Sequence, residues 1–483
     1  MMRWNDARRV ASGLIVGLLA LAAASLPACR RTGEVNSSGG GAGLSWTWEG
    51  GSNAVGGPPV YGTLGSGVSG NKPGARDSAA TWIDGQGNFW LFGGYGIDSS
   101  GNATASRLND LWQYNSGSAI WTWIGGANLG GNAGSYGTQG QAAAGNQPPA
   151  LNGAVAWADQ TGNLWLFGGL SGRGNLNDLW KYTPSGVSGQ WTWMSGSNAG
   201  QARGVYGTQG SAGQGTNLPG GRSFASGWID TNNRLWLFGG VGVDGSGNSG
   251  NLNDLWMYDP SNRNWIWMGG SNLINGNGVY TATSSTAAVP GARQGATTWV
   301  DAAGTFWLFG GAGYPATGAN GLLNDLWQLD PATLTWKFVG GSMGVDTLAI
   351  YGTQGIGGAA NVPESRENAL GWIDSQGRLL LFGGSGWDTT AAQSTAEEFE
   401  LNDVWRFDPA SSQWSWLGGP QLAATAGSYG TLGKQSAGST PGARSKVPAW
   451  KDPAGNLWIF GGYGADATAI QGELGDLWQA ITP

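Results

Sequence analysis

The chain has no histidine and a single cysteine, Cys29, so few kinds of catalytic or metal site can be built from it. A Ser-His-Asp triad, a Cys-His pair, a histidine-ligated zinc or copper site and an internal disulfide are all excluded. Carboxylates, tyrosines, lysines and arginines remain for chemistry, together with oxygen-ligated metals. We predict neither a cofactor nor a resident metal.

Arginine recurs at one spacing, six residues before a tryptophan. Five of the six equivalent positions carry it and Leu151 occupies the other; the arginines are Arg76, Arg222, Arg293, Arg366 and Arg444. A guanidinium group binds a carboxylate through two parallel hydrogen bonds. The series therefore predicts either a ligand-binding site at the mouth of a central channel or internal ion pairs with the aspartates of a repeated Leu-Asn-Asp type of motif, Asp110, Asp254, Asp325, Asp403 and Asp476.

Three other candidates stand outside every repeated pattern. Trp387, Tyr314 and Arg173 lie in predicted loops where the scaffold does not demand them, so we predict them as ligand contacts. For Trp387 the alternative is an aromatic side chain folded under its own loop. Two further loops, residues 98–102 and 244–248, place oxygen side chains at alternate positions as calcium loops do, but they lack the distant bidentate glutamate, which favours polar turns.

A repeat positions these residues. The sequence WLFGG at residues 90–94 returns five more times in nearly the same form, and the copies end at Gly94, Gly169, Gly240, Gly311, Gly384 and Gly462. In each repeat two β-rich runs flank an Asp-x-x-Gly turn, and a Leu-Asn-Asp run and a tryptophan-rich run follow. The pattern predicts four antiparallel strands, with small residues on the first strand near an axis and tryptophans between neighbouring repeats.

The strand inventory predicts how the domain closes. The first, second and third strands each occur six times, but the last repeat is not followed by a fourth strand. The segment with Trp46 and Trp48, at the start of the domain, has the pattern of a fourth strand but is not preceded by the other three. We therefore predict an all-β fold, a six-bladed β-propeller of four-stranded blades over residues 44–483. The N-terminal strand would complete the last blade and leave few exposed edges.

The repeated motifs also carry a family resemblance. A diglycine, a Leu-Asn-Asp, a Tyr-Asp-Pro and a tryptophan, as at residues 239–240, 252–254, 258–260 and Trp265, resemble the kelch repeat throughout residues 44–483. The resemblance implies a kelch-type propeller with insertions. In kelch domains that bind acidic peptides, and in bacterial sialate mutarotases, arginines near the channel mouth bind carboxylates. Galactose oxidase also has kelch repeats, but its copper site needs histidines that this chain lacks.

Loop lengths differ between the two ends of the predicted blades. The first-to-second and third-to-fourth connections are short and share one face, the turn face, whereas the longer second-to-third and fourth-to-first loops share the other, which we call the elaborated face. Function usually lies in such loops, so we predict that this face binds the ligand. Each long insertion carries a tyrosine, and these could stack on a sugar or, as we favour, pack the insertion onto its own blade. The six tyrosines are Tyr61, Tyr136, Tyr206, Tyr280, Tyr351 and Tyr429.

The N-terminal residues predict that the protein is exported from the cytoplasm. Arg3, Arg8 and Arg9 precede an apolar run, and residues 1–28 have the form of a signal peptide. Cys29, after Leu-Pro-Ala, resembles the lipidated cysteine of bacterial lipoproteins; ordinary cleavage after Ala28 is the alternative. Residues 29–43 are a Gly/Ser-rich tether. We predict an exported protein whose lipid anchor faces the periplasm or lies at the bacterial cell surface.

These observations leave three functions open. We favour a non-catalytic, monomeric binding or scaffold protein that recognises a protein or glycan through the elaborated face. A net charge of −7 makes nucleic acid a poor partner, and the membrane is contacted only through the anchor. The alternatives are a sugar-modifying enzyme similar to sialate mutarotase and a purely structural surface spacer.

Overall fold

The computed structural model describes residues 44–102, 104–186, 188–213, 216–387, 398–436 and 438–481. The predicted signal peptide, Cys29 and the tether lie outside the described residues. The described part of the chain contains no α-helix, which confirms the all-β prediction, and therefore no helix that could cross a membrane. Its strands are antiparallel throughout and recur with one pairing order, from the first strand to the fourth, in every repeat.

The strand bounds follow the predicted classes. First strands are interrupted and consist of Arg76–Asp77 with Ala80–Ile83, Leu151–Asn152 with Val155–Ala158, Arg222–Ser223 with Ser226–Ile229, Arg293–Gln294 with Thr297–Val300, Arg366–Glu367 with Leu370–Ile373, and Arg444–Ser445 with Ala449–Lys451. Second strands are Phe89–Gly96, Leu164–Phe167 with Leu170–Ser171, Leu235–Phe238 with Val241–Val243, Phe306–Gly313, Leu379–Gly386 and Leu457–Ala465. Third strands are Ser106–Asn115, Gly174–Asn175 with Leu179–Ser185, Ser249–Asn251 with Leu255–Asp259, Gly321–Asp330, Phe399–Asp408 and Gln471–Ile481. Fourth strands are Ser45–Ser52, Ile120–Gly125, Ser188–Ser195, Asn264–Gly269, Thr335–Gly340 and Gln413–Gly418.

The diglycine of each repeat bends the second strand. Pairing with the third strand shifts register between Phe92 and Gly94, and both glycines have positive φ, 63° and 98° in the first repeat. A side chain at Gly94 would place its Cβ 2.6 Å from the carbonyl oxygen of Asp77, so only glycine fits beside the interrupted first strand. The pentapeptide therefore recurs because the backbone needs it.

The first strand of the chain pairs with the last. Ser45–Ser52 lies antiparallel to Gln471–Ile481, with Trp48 opposite Trp478, so the pairing predicted for Trp46 and Trp48 is confirmed. The indole of Trp46 is 3% exposed, and its ring lies 5.2 Å from that of Phe382 in the fifth repeat. Residues far apart in sequence thus share one sheet and one packed layer.

The turns between first and second strands are capped by aspartate, as predicted. Asp84 Oδ1 accepts the backbone N–H groups of Gln86 and Asn88, and Gly87 takes positive φ. The other carboxylate oxygen, Asp84 Oδ2, accepts a hydrogen bond from Trp90 Nε1 at 2.8 Å. The same aspartate therefore caps the turn and holds a core indole in place, and both roles explain why aspartate recurs at this position.

Neighbouring repeats are joined by first-strand tryptophans. Trp82 Nε1 donates to the carbonyl oxygen of Trp165 in the next repeat at 2.9 Å, and Trp450 Nε1 donates to that of Trp90 at 3.0 Å. The ring of Trp450 stacks on the following sheet, 5.3 Å from Phe89 with an interplanar angle of 12°, whereas Trp82 meets Trp191 edge-on. Large side chains thus fill the space between sheets, whereas small residues line the axis.

Candidate functional site

The arginine of the first repeat is wholly enclosed. Arg76 Nη1 and Nη2 donate to the two carboxylate oxygens of Asp110 at 2.7 and 2.8 Å, and both side chains are 0% exposed. Its remaining donors reach the carbonyl oxygens of Gly74 and Gly93. Asp110 Oδ2 also accepts Tyr61 Oη and Trp112 Nε1. Every group in this cluster is therefore occupied by another group of the protein.

The other four arginines repeat this arrangement. The buried pairs are Arg222–Asp254, Arg293–Asp325, Arg366–Asp403 and Arg444–Asp476, each with a shortest N–O distance between 2.6 and 2.8 Å. Ion pairing, the alternative considered from the sequence, is thus observed for all five. A guanidinium without exposed surface cannot meet a ligand at a channel mouth, so we exclude the five arginines from the binding surface.

The second repeat keeps the aspartate but lacks the arginine. Tyr136 Oη and Trp180 Nε1 donate to Asp178 Oδ2, whereas Oδ1 is buried and has no hydrogen-bond partner in the described part of the chain. Leu151, 1% exposed, stands in the arginine position. Burial raises the pKa of Asp178 to about 6. The sequence signalled this difference through Leu151.

The repeated tyrosines pack, as we favoured, onto their own repeats. The ring of Tyr61 lies 5.0 Å from Trp112 and 4.9 Å from Trp123, and its hydroxyl is bound to Asp110. All six tyrosines are 7–8% exposed. Their faces are covered by tryptophan or phenylalanine, so they offer no platform for stacking on a sugar.

The two oxygen-rich loops are polar turns that tie the elaborated face together. Asp98 Oδ2 accepts the backbone N–H of Gly130, in the fourth-to-first loop, at 2.8 Å. Asp244 and Asp466 make the corresponding contacts with Ile274 and Val55. No group of three or more acidic or cysteine side chains in the described residues could hold a metal ion. These aspartates therefore fix loops.

The three non-repeating candidates lie in three different repeats. Trp387 Nε1 donates to Asp346 Oδ1 at 3.2 Å, which ties its loop to the preceding insertion. Arg173 Nη1 donates to the carbonyl oxygen of Asn198 at 3.0 Å, and its guanidinium lies 5.9 Å from the ring of Tyr136. Tyr314 is half-buried beside the inner strand. The structure does not gather the three into one cluster.

Sequence reasoning missed a ring of six residues at the axis, one from each repeat and two positions after the arginine site. Their backbones form a closed cycle of N–H···O=C bonds of 2.7–3.0 Å, in which each residue donates to the one in the preceding repeat. All six have positive φ, between 51° and 66°. The members of this axial ring are Ser78, Gly153, Phe224, Gly295, Asn368 and Lys446.

The axial ring is uniform in backbone but not in side chains. A Cβ at Gly153 would lie 2.8 Å from the ring of Phe224, and one at Gly295 would lie 2.8 Å from Asn368 Oδ1. Phe224 and Asn368 thus occupy the space that the two glycines leave. The ring and the small residues after it line a cavity of about 200 Å³. An aromatic, an amide, an ammonium and a hydroxyl group therefore converge on an asymmetric axial cavity.

Acidic groups lie along one side of the entrance to this cavity. We define the axial mouth as the six residues that precede the axial ring: Asp77, Asn152, Ser223, Gln294, Glu367 and Ser445. Burial, together with the nearby Glu398 and Glu400, raises the pKa of Glu367 to about 7, although Lys446 and Gln294 act to lower it. Ser445 Oγ donates to Glu400 at 3.4 Å. The mouth therefore carries negative charge held in a largely dry environment.

Apolar side chains are exposed on the loops of the elaborated face. Three leucines occupy one position of the fourth-to-first loops, and a methionine and an isoleucine lie on neighbouring loops. Their exposures are 51%, 49%, 50%, 54% and 56% for Leu129, Leu273, Leu422, Met343 and Ile470. We call these five the apolar rim. A face that combines apolar and charged groups on a rigid scaffold is suited to binding a macromolecule.

Comparisons with known proteins agree with this architecture. The KLHDC2/KLHL20/DRC7 Kelch-repeats domain matches residues 139–337 and 211–424, which together span more than half of the 483 residues. A search of curated proteins found no match. The matched segments contain four of the six diglycine bends, three of the five buried Arg–Asp pairs and four of the six residues of the axial ring. The chain therefore belongs to the kelch-repeat family of β-propellers.

Proposed function

We propose that this chain is an exported, lipid-anchored and non-catalytic kelch propeller that binds a protein partner through its elaborated face. Kelch repeats commonly mediate protein binding. One observation carries the choice of face: the repeated arginines, aspartates and tyrosines satisfy one another inside the scaffold, whereas the apolar rim and axial mouth differ from repeat to repeat and lie on this face.

The binding scaffold that we propose is a ring of six blades. Two contacts support it. The axial cycle returns from Lys446 to Ser78, and the strand Ser45–Ser52 completes the sheet of the sixth repeat. Such a ring holds its loops on a frame without free sheet edges, so the face keeps its shape when a partner docks.

The turn face offers less to a partner. Its first-to-second turns are tight and are internally bonded through aspartates such as Asp84 and Asp374. The elaborated face instead carries long loops that are cross-tied by Asp98, Asp244 and Asp466. Loops that are both long and tied present a varied surface at low cost in ordering entropy, which favours binding.

Anchoring is a separate part of the proposal and has its own test. Arg3, Arg8 and Arg9, the apolar run that follows them and Cys29 support export and lipidation. We expect radiolabelled palmitate to be incorporated into the wild-type protein in bacterial cells and not into Cys29→Ser. Labelling of both proteins, or of neither, would contradict the lipid anchor and leave the binding proposal to its own experiment.

The binding proposal is tested with two probes applied to the purified domain. A phage-displayed library of random dodecapeptides should yield enriched sequences that bind the domain, whereas a glycan array should yield no binding. Because the tyrosine faces are covered by other aromatic rings, we expect the glycan array to stay blank. Glycan binding without peptide enrichment would overturn protein recognition as the function.

A further inference from the structure

We propose that the axial mouth binds a lysine or arginine side chain presented by the partner, a proposal that rests on the protein-binding function above. The kelch arginines that the sequence offered as carboxylate binders are sealed in ion pairs. The charged residues of the mouth, Asp77 and Glu367, are carboxylates and so have the opposite charge to these arginines. The chemistry of the site therefore favours a cationic ligand group.

The carboxylates of the mouth and of the third-strand residues beside it come from the fifth, sixth and first repeats. They are Asp77, Glu367, Glu398, Glu400 and Glu473. Glu367 is 4% exposed, and the hydrogen bond that it accepts from Gln294 Nε2 is long, 3.5 Å. Glu398 and Glu400 act on it strongly enough to raise its pKa. A carboxylate in this position gains most from a nearby cation.

Asp77 is an independent sign that the mouth lacks a cation. At three boundaries between repeats, the mouth residue bonds to a third-strand side chain of the preceding repeat: Arg107 with Asn152, Asn175 with Ser223, and Glu400 with Ser445. At the boundary between the sixth and first repeats, the same two positions are Glu473 and Asp77. Asp77 is 2% exposed, and its Oδ2 has no hydrogen-bond partner in the described residues.

Arg107 and Lys446 lie near the mouth, but in the described residues neither is hydrogen-bonded to Asp77 Oδ2. Arg107 Nε donates to Asn152, and Lys446 belongs to the axial ring. The unpartnered Oδ2 of buried Asp77 and the long hydrogen bond of buried Glu367 favour the entry of a positive group, since desolvation penalises an unpaired charge. No three acidic side chains in the described residues converge closely enough for a metal ion.

The surroundings favour a long side chain on a macromolecule. Lysine and arginine carry a charged head on an apolar stem, which packs well against apolar surface. The apolar rim lies on the same face as the mouth, and Phe224 with a series of alanines lines the axial cavity. A partner loop with a basic residue between apolar residues would place its head among the carboxylates and its neighbours on the rim.

The peptide selection tests this proposal when it is run on two matched proteins. The variant Glu367→Gln with Glu400→Gln removes two mouth charges at nearly constant shape; Glu49→Gln, on the outer strand of the sixth sheet, is the control. Because burial disfavours the charge of Glu367, we expect the double variant to fold with an unchanged or higher melting temperature. Lysine and arginine should be enriched on the wild type and the control but not on the double variant, whereas apolar enrichment should persist on all three.

Affinities of one selected peptide complete the test. Fluorescence anisotropy at pH 8 should show at least a tenfold loss when the peptide's basic residue is replaced by glutamine, and this loss should disappear on the double variant. Binding should also weaken from pH 8 to pH 6, as Glu367 takes up a proton beside Glu398, Glu400 and Lys446. Enriched peptides without a basic preference would overturn this proposal and leave protein binding standing; no enriched peptide at all would overturn both.

Discussion

At the scale of single residues, Asp178 shows what the repeated arginine does for the fold. Five sister aspartates share a buried guanidinium with a tyrosine and a tryptophan, as Asp254 does with Arg222. Asp178 accepts hydrogen bonds from a tyrosine and a tryptophan but has no arginine partner. Burial raises its pKa to about 6 from an ordinary value near 3.9. The folded state therefore holds a proton that the unfolded chain releases between these values. Stability from this group is full below pH about 4 and is lost as pH rises through about 6.

Two aspartate-to-asparagine variants test this difference. Asp178→Asn should raise the free energy of unfolding by roughly 1 to 3 kcal/mol at pH 8, because no charge is then buried, and this gain should shrink as pH falls below 6. Asp254→Asn should instead lower it by about 3 to 5 kcal/mol at both pH values, because Arg222 loses its buried partner. Urea unfolding monitored by tryptophan fluorescence measures both. Equal effects of the two changes would contradict the account.

Gly153 and Phe224 form a second testable pair in the axial ring. Gly153→Ala should destabilise the protein by about 2 kcal/mol, since alanine is strained at a φ of 66° and its Cβ would meet the Phe224 ring. In a Phe224→Ala background the clash is gone and only the backbone strain remains, about 1 kcal/mol. Urea unfolding of the four proteins in this cycle gives the coupling. A loss of the same size in both backgrounds would show that the ring does not fill the glycine's space.

Some of these residue roles could be read from the sequence and others could not. The spacing of Arg76 from Trp82 revealed a repeated function, but an arginine that binds a ligand and one that binds Asp110 give the same pattern. The axial ring was missed because Ser78, Phe224 and Lys446 share no side-chain type. Their common property is a left-handed backbone, and it becomes visible only when the position two residues after the arginine is compared across repeats.

At the scale of secondary structure, recurrence identified the scaffold correctly. The diglycine, the turn aspartate and the tryptophans predicted the strands because each meets a local need: positive φ, turn capping or filling between sheets. The interruption of each first strand at the axial ring was not predicted, since the small residues there read as continuous β structure. The carboxylates of the axial mouth were also missed, because the register that brings Glu367 near Gln294 joins residues one repeat apart.

The N-terminal strand gives the prediction that belongs to this scale. Deleting residues 44–49 should lower the melting temperature by more than 10 °C, because it exposes the edge of Gln471–Ile481 and removes the packed indoles of Trp46 and Trp48. Differential scanning fluorimetry measures the change, and deletion of residues 38–43 from the predicted tether is the control. An unchanged melting temperature in the first deletion would contradict closure by this strand.

At the scale of the whole molecule, a nearly symmetric frame presents an asymmetric face. Symmetry is kept where groups bind one another, in the Arg–Asp pairs, the capped turns and the backbone cycle at the axis. Differences concentrate at the axial mouth, in the axial ring and on the apolar rim. A partner can recognise one orientation of the frame only through such differences, which supports our proposal that the elaborated face binds the partner.

The most direct measurement compares the binding of the selected dodecapeptides to two variants with chemically matched changes on opposite faces. Leu273→Glu with Leu422→Glu alters the apolar rim, and Val300→Glu with Ile481→Glu alters exposed apolar residues at the turn face. All four positions are at least 36% exposed, so both proteins should fold. We predict at least a tenfold loss of affinity for the rim variant and wild-type affinity for the turn-face variant. Loss confined to the turn-face variant, or an equal loss in both, would contradict the account.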